Sequence, residues 1–336
     1  MLNSPEWEVE VIVHSPGGNV YESLRKAGVK IHVIPLRFEH SSKFSFIKRI
    51  RENSRALKRL NLDVIHSFDY ASSFSEALSA RLAGIKFAFT KTNMLWNRNY
   101  RIKSTLANAI VALNEDQLNQ FFSRNSVQKE TNLIPNGVDI DKFKPFPEVE
   151  KHEIPTIGFV AYIVQVKGHP FFAEVVAKVK SKVDFPFQIL CAGAGEEEYV
   201  QEVKNKVQEL GIEQEFRFSG FVTDVPGFYN KCHMAVLPTT ERGEACPMAV
   251  LEAMACGIPI LVSNTPGNHN IVNETVGWVR DFGEVDVWAD LLVDVLRDIK
   301  SLNTKGTEAR RYVEQGYSLN GFLTKHLALY QDLAKN

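Results

Sequence analysis

In the stretch MAVLPTTERGEACPMAVLEAMACGIPILVSN, Met234 to Asn264, a short apolar run ends in Pro238, a polar loop follows, and a helix is predicted to open near Pro247. Proline suits a first helical turn because the N–H it lacks would have had no partner there. The amides of Cys246, Met248 and Ala249 then point out of the helix start, toward the mouth of a sheet. Such a terminus attracts anions, phosphate above all. Glu244 stands just before this helix and Glu252 inside it, among Met248, Ala249, Val250, Leu251, Ala253, Met254 and Ala255. A carboxylate in an apolar helix is costly unless paired or hydrogen-bonded, and sugar hydroxyls are suitable partners. The plainer alternative makes Glu244 a dipole complement and Glu252 an exposed side chain.

On either side of this stretch, short apolar runs alternate with amphipathic stretches, as in parallel sheets with crossover helices. Around the central stretch, strands are expected at Thr156–Ala161, Phe187–Ala192, Phe216–Ser219, Met234–Pro238 and Ile258–Ser263, with helices at Pro170–Val183, Glu197–Leu210 and Pro247–Cys256. The first half offers strands at Val9–His14, Lys30–Pro35, Asp63–Ser67, Lys86–Thr90, Ala109–Leu113 and Leu133–Pro135, and helices at Tyr21–Ala27 and Phe46–Leu60. Asn136–His152, with Pro145 and Pro147 and many charges, reads as a linker. Two successive α/β series so joined imply two doubly wound domains, with ligands at the carboxyl ends of the strands. The expected division is 1–150, 151–316 and a terminal helix in 317–336.

The length, 336 residues, suits two domains, and 44% hydrophobic with 24% charged residues is ordinary for a folded soluble chain. No apolar run reaches the ~18 residues of a membrane span, and the acidic, alternating start Met1–Val13 does not read as a signal peptide. Cys191, Cys232, Cys246 and Cys256 form no C-x-x-C pair and no zinc spacing, so a reduced, cytoplasmic protein is expected. A net charge of −1 argues against a nucleic-acid binder that works by bulk charge. The halves differ: residues 1–150 hold 21 Lys and Arg against 16 Asp and Glu, the remainder 18 against 24. Seven of those cations (Lys43, Lys48, Arg49, Arg51, Arg55, Lys58, Arg59) lie between Lys43 and Arg59, in and just before the predicted helix Phe46–Leu60, with a single acid, Glu52. Its stripe of Ile47, Ile50, Leu57 and Leu60 is expected to pack on the sheet, leaving a basic face with Phe44 and Phe46 at one end. That face suits an anionic membrane surface, or is simply solvated.

Several motifs, taken in order, resemble the retaining glycosyltransferases of family 4, the glycosyl transferases group 1. They are IPNGVDIDKFKP (Ile134–Pro145), Lys167-Gly168, LCAGAGEEE (Leu190–Glu198), FSGFVTDVPGFYNKC (Phe218–Cys232) and the Glu244-x7-Glu252 stretch ending in EAMACGIPI. The resemblance spans nearly the whole chain. It implies the GT-B fold: two Rossmann-like domains facing a cleft, acceptor side first and nucleotide-sugar side second, with the helix Leu319–Lys335 returning to the first. It also implies that Glu244 holds the transferred sugar as the catalytic carboxylate, that Glu252 holds the donor's ribose, and that Lys167 neutralises the diphosphate. Cys246, Met248 and Ala249 complete that cradle with their amides, and Val222 borders the base. Gly193 and Gly195 are either ligand contacts or the makings of a tight turn.

Two other motifs are set aside. Asp139-Ile140-Asp141 has the form D-x-D but belongs to the linker motif, so no metal is expected. Gly193-Ala194-Gly195 lacks the third glycine of a dinucleotide fingerprint, so no NAD is expected. The chain also departs from the family pattern. The first strand and glycine-rich loop of the N-terminal domain have no counterpart, Thr92 stands where a histidine is usual, Tyr162 where an arginine is usual, and Asn270 where a glutamate is frequent. The expected function is retaining, metal-independent transfer of a sugar from a nucleotide-diphosphate sugar to a hydroxyl acceptor, lipid-linked acceptors included, in surface polysaccharide or glycolipid assembly. No cofactor is expected. The alternative is a catalytically silent or truncated nucleotide-sugar-binding protein of the same fold; an epimerase fits the Glu-x7-Glu stretch less well.

Overall fold

The computed structural model describes residues 7–38, 42–123, 131–240 and 244–335. The chain divides into two compact units, one of residues 1–112, 116–134 and 323–336, the other of 113–115 and 135–322.

In the first unit, β1 (Glu10–Val13), α1 (Asn19–Lys26) and β2 (Lys30–Val33) make a parallel pair, and α2 (Lys43–Lys58) leads onward. Then come β3 (Val64–Asp69), α3 (Ser75–Ala83), β4 (Lys86–Lys91), α4 (Arg98–Leu106), β5 (Ala109–Ala112), the short α5 (Glu115–Gln117), whose Glu115 belongs to the second unit, and β6 (Thr131–Leu133). Strands β3–β6 form a four-stranded parallel sheet in chain order. Both sheets rest on one apolar core built from Leu57, Phe87, Phe89, Ile110 and their neighbours, with Ile12 and Ile34 packed against it. No hydrogen-bonded ladder joins β1–β2 to β3–β6 among the described residues, so β1 and β3 each keep one edge without a strand partner. β4 and β5 are buried almost throughout, whereas no residue of β1 or of α1 is fully buried.

The second unit runs β7 (Thr156–Val160), α6 (His169–Lys180), β8 (Gln188–Ala192), α7 (Glu197–Glu209), β9 (Phe216–Gly220), α8 (Val225–Asn230), β10 (Met234–Leu237), α9 (Met248–Ala255), β11 (Ile260–Ser263), α10 (Pro266–His269) and β12 (Gly277–Arg280), followed by α11 (Val285–Arg297) and α12 (Leu302–Gly316). Its six strands are parallel in the order β12-β11-β10-β7-β8-β9. Chain order reverses where β10 lies beside β7, and the carboxyl ends of those two strands flank the switch point at which such sheets bind ligands. The last helix, α13 (Leu319–Lys335), contributes residues 323–335 to the first unit, where Tyr330 meets His66 Nδ1 at 2.7 Å.

Three features differ from the reading of the sequence. The chain passes into the second unit after Ile134, not near residue 150, because the linker folds onto that unit. Arg310 donates to the carbonyls of Ile140, Phe143 and Ala255, and Phe146 N–H donates to Asn230 Oδ1. On α2, Ile50 and Leu57 are buried as expected, but Ile47 is 50% exposed, since the first buried turn is filled by Phe46 packed on Phe38 and Phe74. Pro247 caps α9 from outside the helix rather than opening its first turn.

The first unit also buries two lysines. Lys103 pairs with Glu76, which accepts from Ser67 Oγ as well, and Lys91 donates to Asn93 while lying 3.9 Å from the Tyr100 ring centroid. Removing one partner of a buried pair strands the other charge. Glu76→Ala is therefore expected to cost ~3–5 kcal/mol of stability, read as a lower denaturation midpoint in urea; a change within ~0.5 kcal/mol would show the pair to be dispensable.

Candidate active site

At the carboxyl end of β7 the chain makes a short turn, Gln165–Lys167, and enters α6 through Gly168. Gly168 has φ +71°, and a Cβ there would lie 2.0 Å from the carbonyl oxygen of Pro238, just beyond β10. That close approach fixes Lys167, which is buried at 9% exposure, beside the loop that follows β10. Its Nζ donates to Glu244 Oε1 at 2.5 Å. The next residue, His169, stacks on Phe159 at 4.2 Å, and burial together with the nearby Lys167 holds its pKa down at about 3, so its ring is neutral.

The loop from Glu244 to Pro247 delivers the chain into α9. Cys246 is buried, Met248 is partly exposed, and the amides of Cys246, Met248 and Ala249 have no acceptor among the described residues. Burial pushes the Cys246 thiol up to about 12, which leaves it a poor nucleophile. Glu252, four residues into the helix, is half-buried, and its carboxyl makes no hydrogen bond to a described residue. Burial raises its pKa to about 7, with Lys142 the opposing influence. The apolar helix thus carries an unpartnered carboxyl group, the arrangement that calls for an external donor.

A second part of the site lies at the ends of β7, β8 and β9. Tyr162, Gly193, Phe221, Val222 and Phe228 are among the walls of a cavity of about 260 Å³. Tyr162 is 50% exposed and Phe221 76%, so two aromatic faces are open there. Gly193 has a packing reason of its own, since a Cβ would lie 1.8 Å from the Ala161 carbonyl oxygen. Gly195 is not among the lining residues and sits against Ile163, with which it forms a parallel bridge. Asp139 is occupied locally, its Oδ1 accepting from the amides of Asp141 and Lys142 at 3.1 Å each. Thr92, just past β4, belongs to the first unit.

The family profile of the glycosyl transferases group 1 matches residues 141–312. The chain belongs to the group 1 glycosyltransferases. A further profile, Glycosyltransferase Family 4, matches residues 2–142. As a member of this family the chain is an enzyme that transfers glycosyl groups. It is 25% identical to the Escherichia coli UDP-Gal:alpha-D-GlcNAc-diphosphoundecaprenol alpha-1,3-galactosyltransferase, over 92% of this chain and 85% of the relative. It is 26% identical to the Campylobacter jejuni N,N'-diacetylbacillosaminyl-diphospho-undecaprenol alpha-1,3-N-acetylgalactosaminyltransferase, over 97% and 92%. The solved structure of Anabaena HepE with UDP and glucose superposes with a TM-score of 0.78 at 17% identity, covering 97% of this chain and 92% of that one, and its fold is the GT-B fold.

Sequence reasoning about this glycosyltransferase missed two asparagines. Asn114 Nδ2 donates to the Ala245 carbonyl at 2.7 Å and Asn136 Nδ2 to the Cys246 carbonyl at 2.8 Å. Asn136 stands inside a motif singled out for other reasons, and nothing local marks Asn114. The aromatic wall of Tyr162 and Phe221 also had no periodic signal.

A raised carboxyl pKa has a consequence for stability. The folded protein binds the Glu252 proton more tightly than the unfolded chain does, so this group lowers stability progressively as pH rises from the ordinary carboxyl value of 4.5 to about 7. Glu252→Gln is expected to stabilise the ligand-free protein at pH 8 by ~1–3 kcal/mol and to leave it unchanged at pH 4. Urea titrations at both pH values check this; equal midpoints at pH 8 would mean that the carboxyl is well solvated.

Proposed function

We propose that this glycosyltransferase moves a sugar, with retention at the anomeric carbon, from a nucleotide-diphosphate sugar to a hydroxyl acceptor. The reading rests on one observation: a buried lysine, Lys167, and a carboxylate, Glu244, meet beside the open amides of the α9 start, with the unpartnered carboxyl of Glu252 four residues into that helix. Lys167 and the amides of Cys246, Met248 and Ala249 supply positive potential where a departing diphosphate gathers negative charge. Glu252 accepts the ribose hydroxyls, Glu244 the hydroxyls of the transferred sugar, and Tyr162, Phe221 and Val222 border the base. The bond between the anomeric carbon and the β-phosphate oxygen breaks, the acceptor oxygen bonds to that carbon on the same face, and the acceptor proton passes to the departing phosphate. Charge neutralisation by Lys167 and backbone amides makes the step independent of a metal ion.

The relatives named above are, by their names, transferases to diphosphoundecaprenol-linked sugars, which supports a lipid-linked acceptor and a role in surface polysaccharide or glycolipid assembly. With it goes a cytoplasmic location at the inner face of the membrane. Among the described residues no helix is long and apolar enough to cross a membrane, and the membrane contact proposed below is a peripheral one.

Incubation of the purified protein with UDP- and GDP-sugars and a polyprenyl-diphosphate sugar tests the reaction. The expected product keeps the donor's anomeric configuration, EDTA leaves the rate unchanged, and Lys167→Ala weakens nucleoside diphosphate binding about tenfold or more. An inverted product, or activity that EDTA abolishes and manganese restores, would overturn the mechanism.

The membrane contact has its own basis on α2. Phe44 is 83% and Ile47 50% exposed, and with Lys48, Arg51 and Arg55 they occupy one helix face. Lys43, Arg49, Lys58 and Arg59 are exposed as well. This face now includes an apolar tip as well as charge, which suits shallow insertion into anionic lipid, with ~1 kcal/mol from each basic residue near the surface. In flotation assays the protein is expected to bind vesicles rich in anionic lipid at low salt, to release at high salt, and to bind less after Phe44→Ser with Ile47→Ser. Equal binding to neutral vesicles, or none at low salt, would reduce the face to a solvated surface.

A further inference from the structure

The loop Glu244–Cys246 has a carbonyl with a neighbour at each residue. A Cβ on Gly267 would lie 1.8 Å from the Glu244 carbonyl oxygen, so the backbone of α10 presses against it directly. The Ala245 carbonyl accepts from Asn114 Nδ2 at 2.7 Å, and the Cys246 carbonyl accepts from Asn136 Nδ2 at 2.8 Å. Asn114 is 3% exposed. Both asparagines belong to the segments by which the chain enters the second unit, 113–115 and 135 onward. They come from 131 and 110 residues away in the chain. Around them the entry segments are tied down further: Glu115 N–H donates to Asn270 Oδ1 at 3.3 Å, and Tyr317 Oη donates to the Asn270 carbonyl at 3.2 Å.

We propose that Asn114 and Asn136 are positioning residues for the transfer reaction, a two-point clamp that aims the Glu244–Cys246 loop at the donor's diphosphate. This rests on the nucleotide-sugar reading above. A peptide group is planar, and its C=O and N–H point in opposite directions. Holding the Ala245 carbonyl on the Asn114 side therefore turns the Cys246 N–H away from it, and that amide has no acceptor among the described residues. Holding the Cys246 carbonyl fixes the next peptide, which ends in Pro247 and offers no N–H of its own, so its orientation sets the entry into α9. Amide side chains serve here where carboxylates would not: the target is a carbonyl oxygen, which needs a donor, and an added negative charge would repel a diphosphate. Hydrogen bonds of this kind cost nothing to reorganise when charge develops, which is the property a transition-state cradle needs.

Asn114→Leu and Asn136→Leu keep the size of the side chain, remove the donor and add no charge. Two readouts separate positioning from general support. The first needs no ligand: Cys246 is buried in the clamped loop, while Cys191, Cys232 and Cys256 are buried elsewhere in the same unit. Mass-resolved alkylation is expected to label Cys246 about tenfold faster in both variants, with the other three thiols as slow as in the wild type. The second compares UDP with UMP, and GDP with GMP, by calorimetry. Loss of the aimed Cys246 amide is expected to weaken the diphosphate about tenfold and to leave the monophosphate unchanged. Unaltered Cys246 labelling, labelling of all four cysteines together, or equal weakening of mono- and diphosphate would overturn the clamp. If the wild type binds no nucleotide, the nucleotide-sugar reading fails, and the alkylation arm alone decides whether the asparagines order the loop.

Discussion

Strand ends in the second unit approach one another so closely that no side chain fits between them. The backbone at Gly193 lies against the Ala161 carbonyl, that at Gly168 against Pro238, and that at Gly267 against Glu244. Such contacts are possible only without a Cβ, and they bring the ends of β7, β8 and β10 and the start of α10 into one small volume. Lys167 reaches Glu244 because Gly168 lets its turn sit on Pro238; Cys246 is buried because its loop is squeezed between α10 and the entry segments. The chemistry of the site depends on backbone proximity before it depends on any charged side chain.

Much of the second unit was legible from the sequence because its inner strands, β7, β8, β10 and β11, are short apolar runs buried almost throughout, separated by amphipathic helices. The helix start after Pro247 and the two glutamates around it were visible for the same reason: a charge in an apolar helix stands out. Asn114 and Asn136 were not visible, since an asparagine in a connecting segment usually satisfies its own turn, and its partner more than a hundred residues away leaves no local trace. The linker misled in a related way. Its prolines and charges read as a spacer, but Arg310, remote in sequence, binds its carbonyls and makes it part of the second unit. On α2 the helical period was right and its phase at the first turn was not, because Phe46 and Ile47 are adjacent and either could have faced inward.

The charge division of the chain also changes meaning once burial is known. Of the cations that give the first half its positive balance, Lys91 and Lys103 are buried. Burial lowers the Lys91 pKa to about 7, so part of its charge is absent near neutrality. The long-range field of that half comes instead from exposed residues, with those of α2 prominent among them. A formal count by sequence segment therefore overstates the field of the unit and understates how far it is concentrated on one helix.

Among the described residues the outer edges of β1 and β3 have no strand partner. An apolar parallel edge is a template for any extended chain that meets it, and natural sheets guard such edges with charge, proline or a covering element. Here β1 reads EVIV and β3 VIHSFD, with little of that protection, and α1 buries none of its residues completely. The β1–α1–β2 segment is thus held by fewer interactions than the sheet of β3–β6, and cooperative opening would begin there rather than in the second unit.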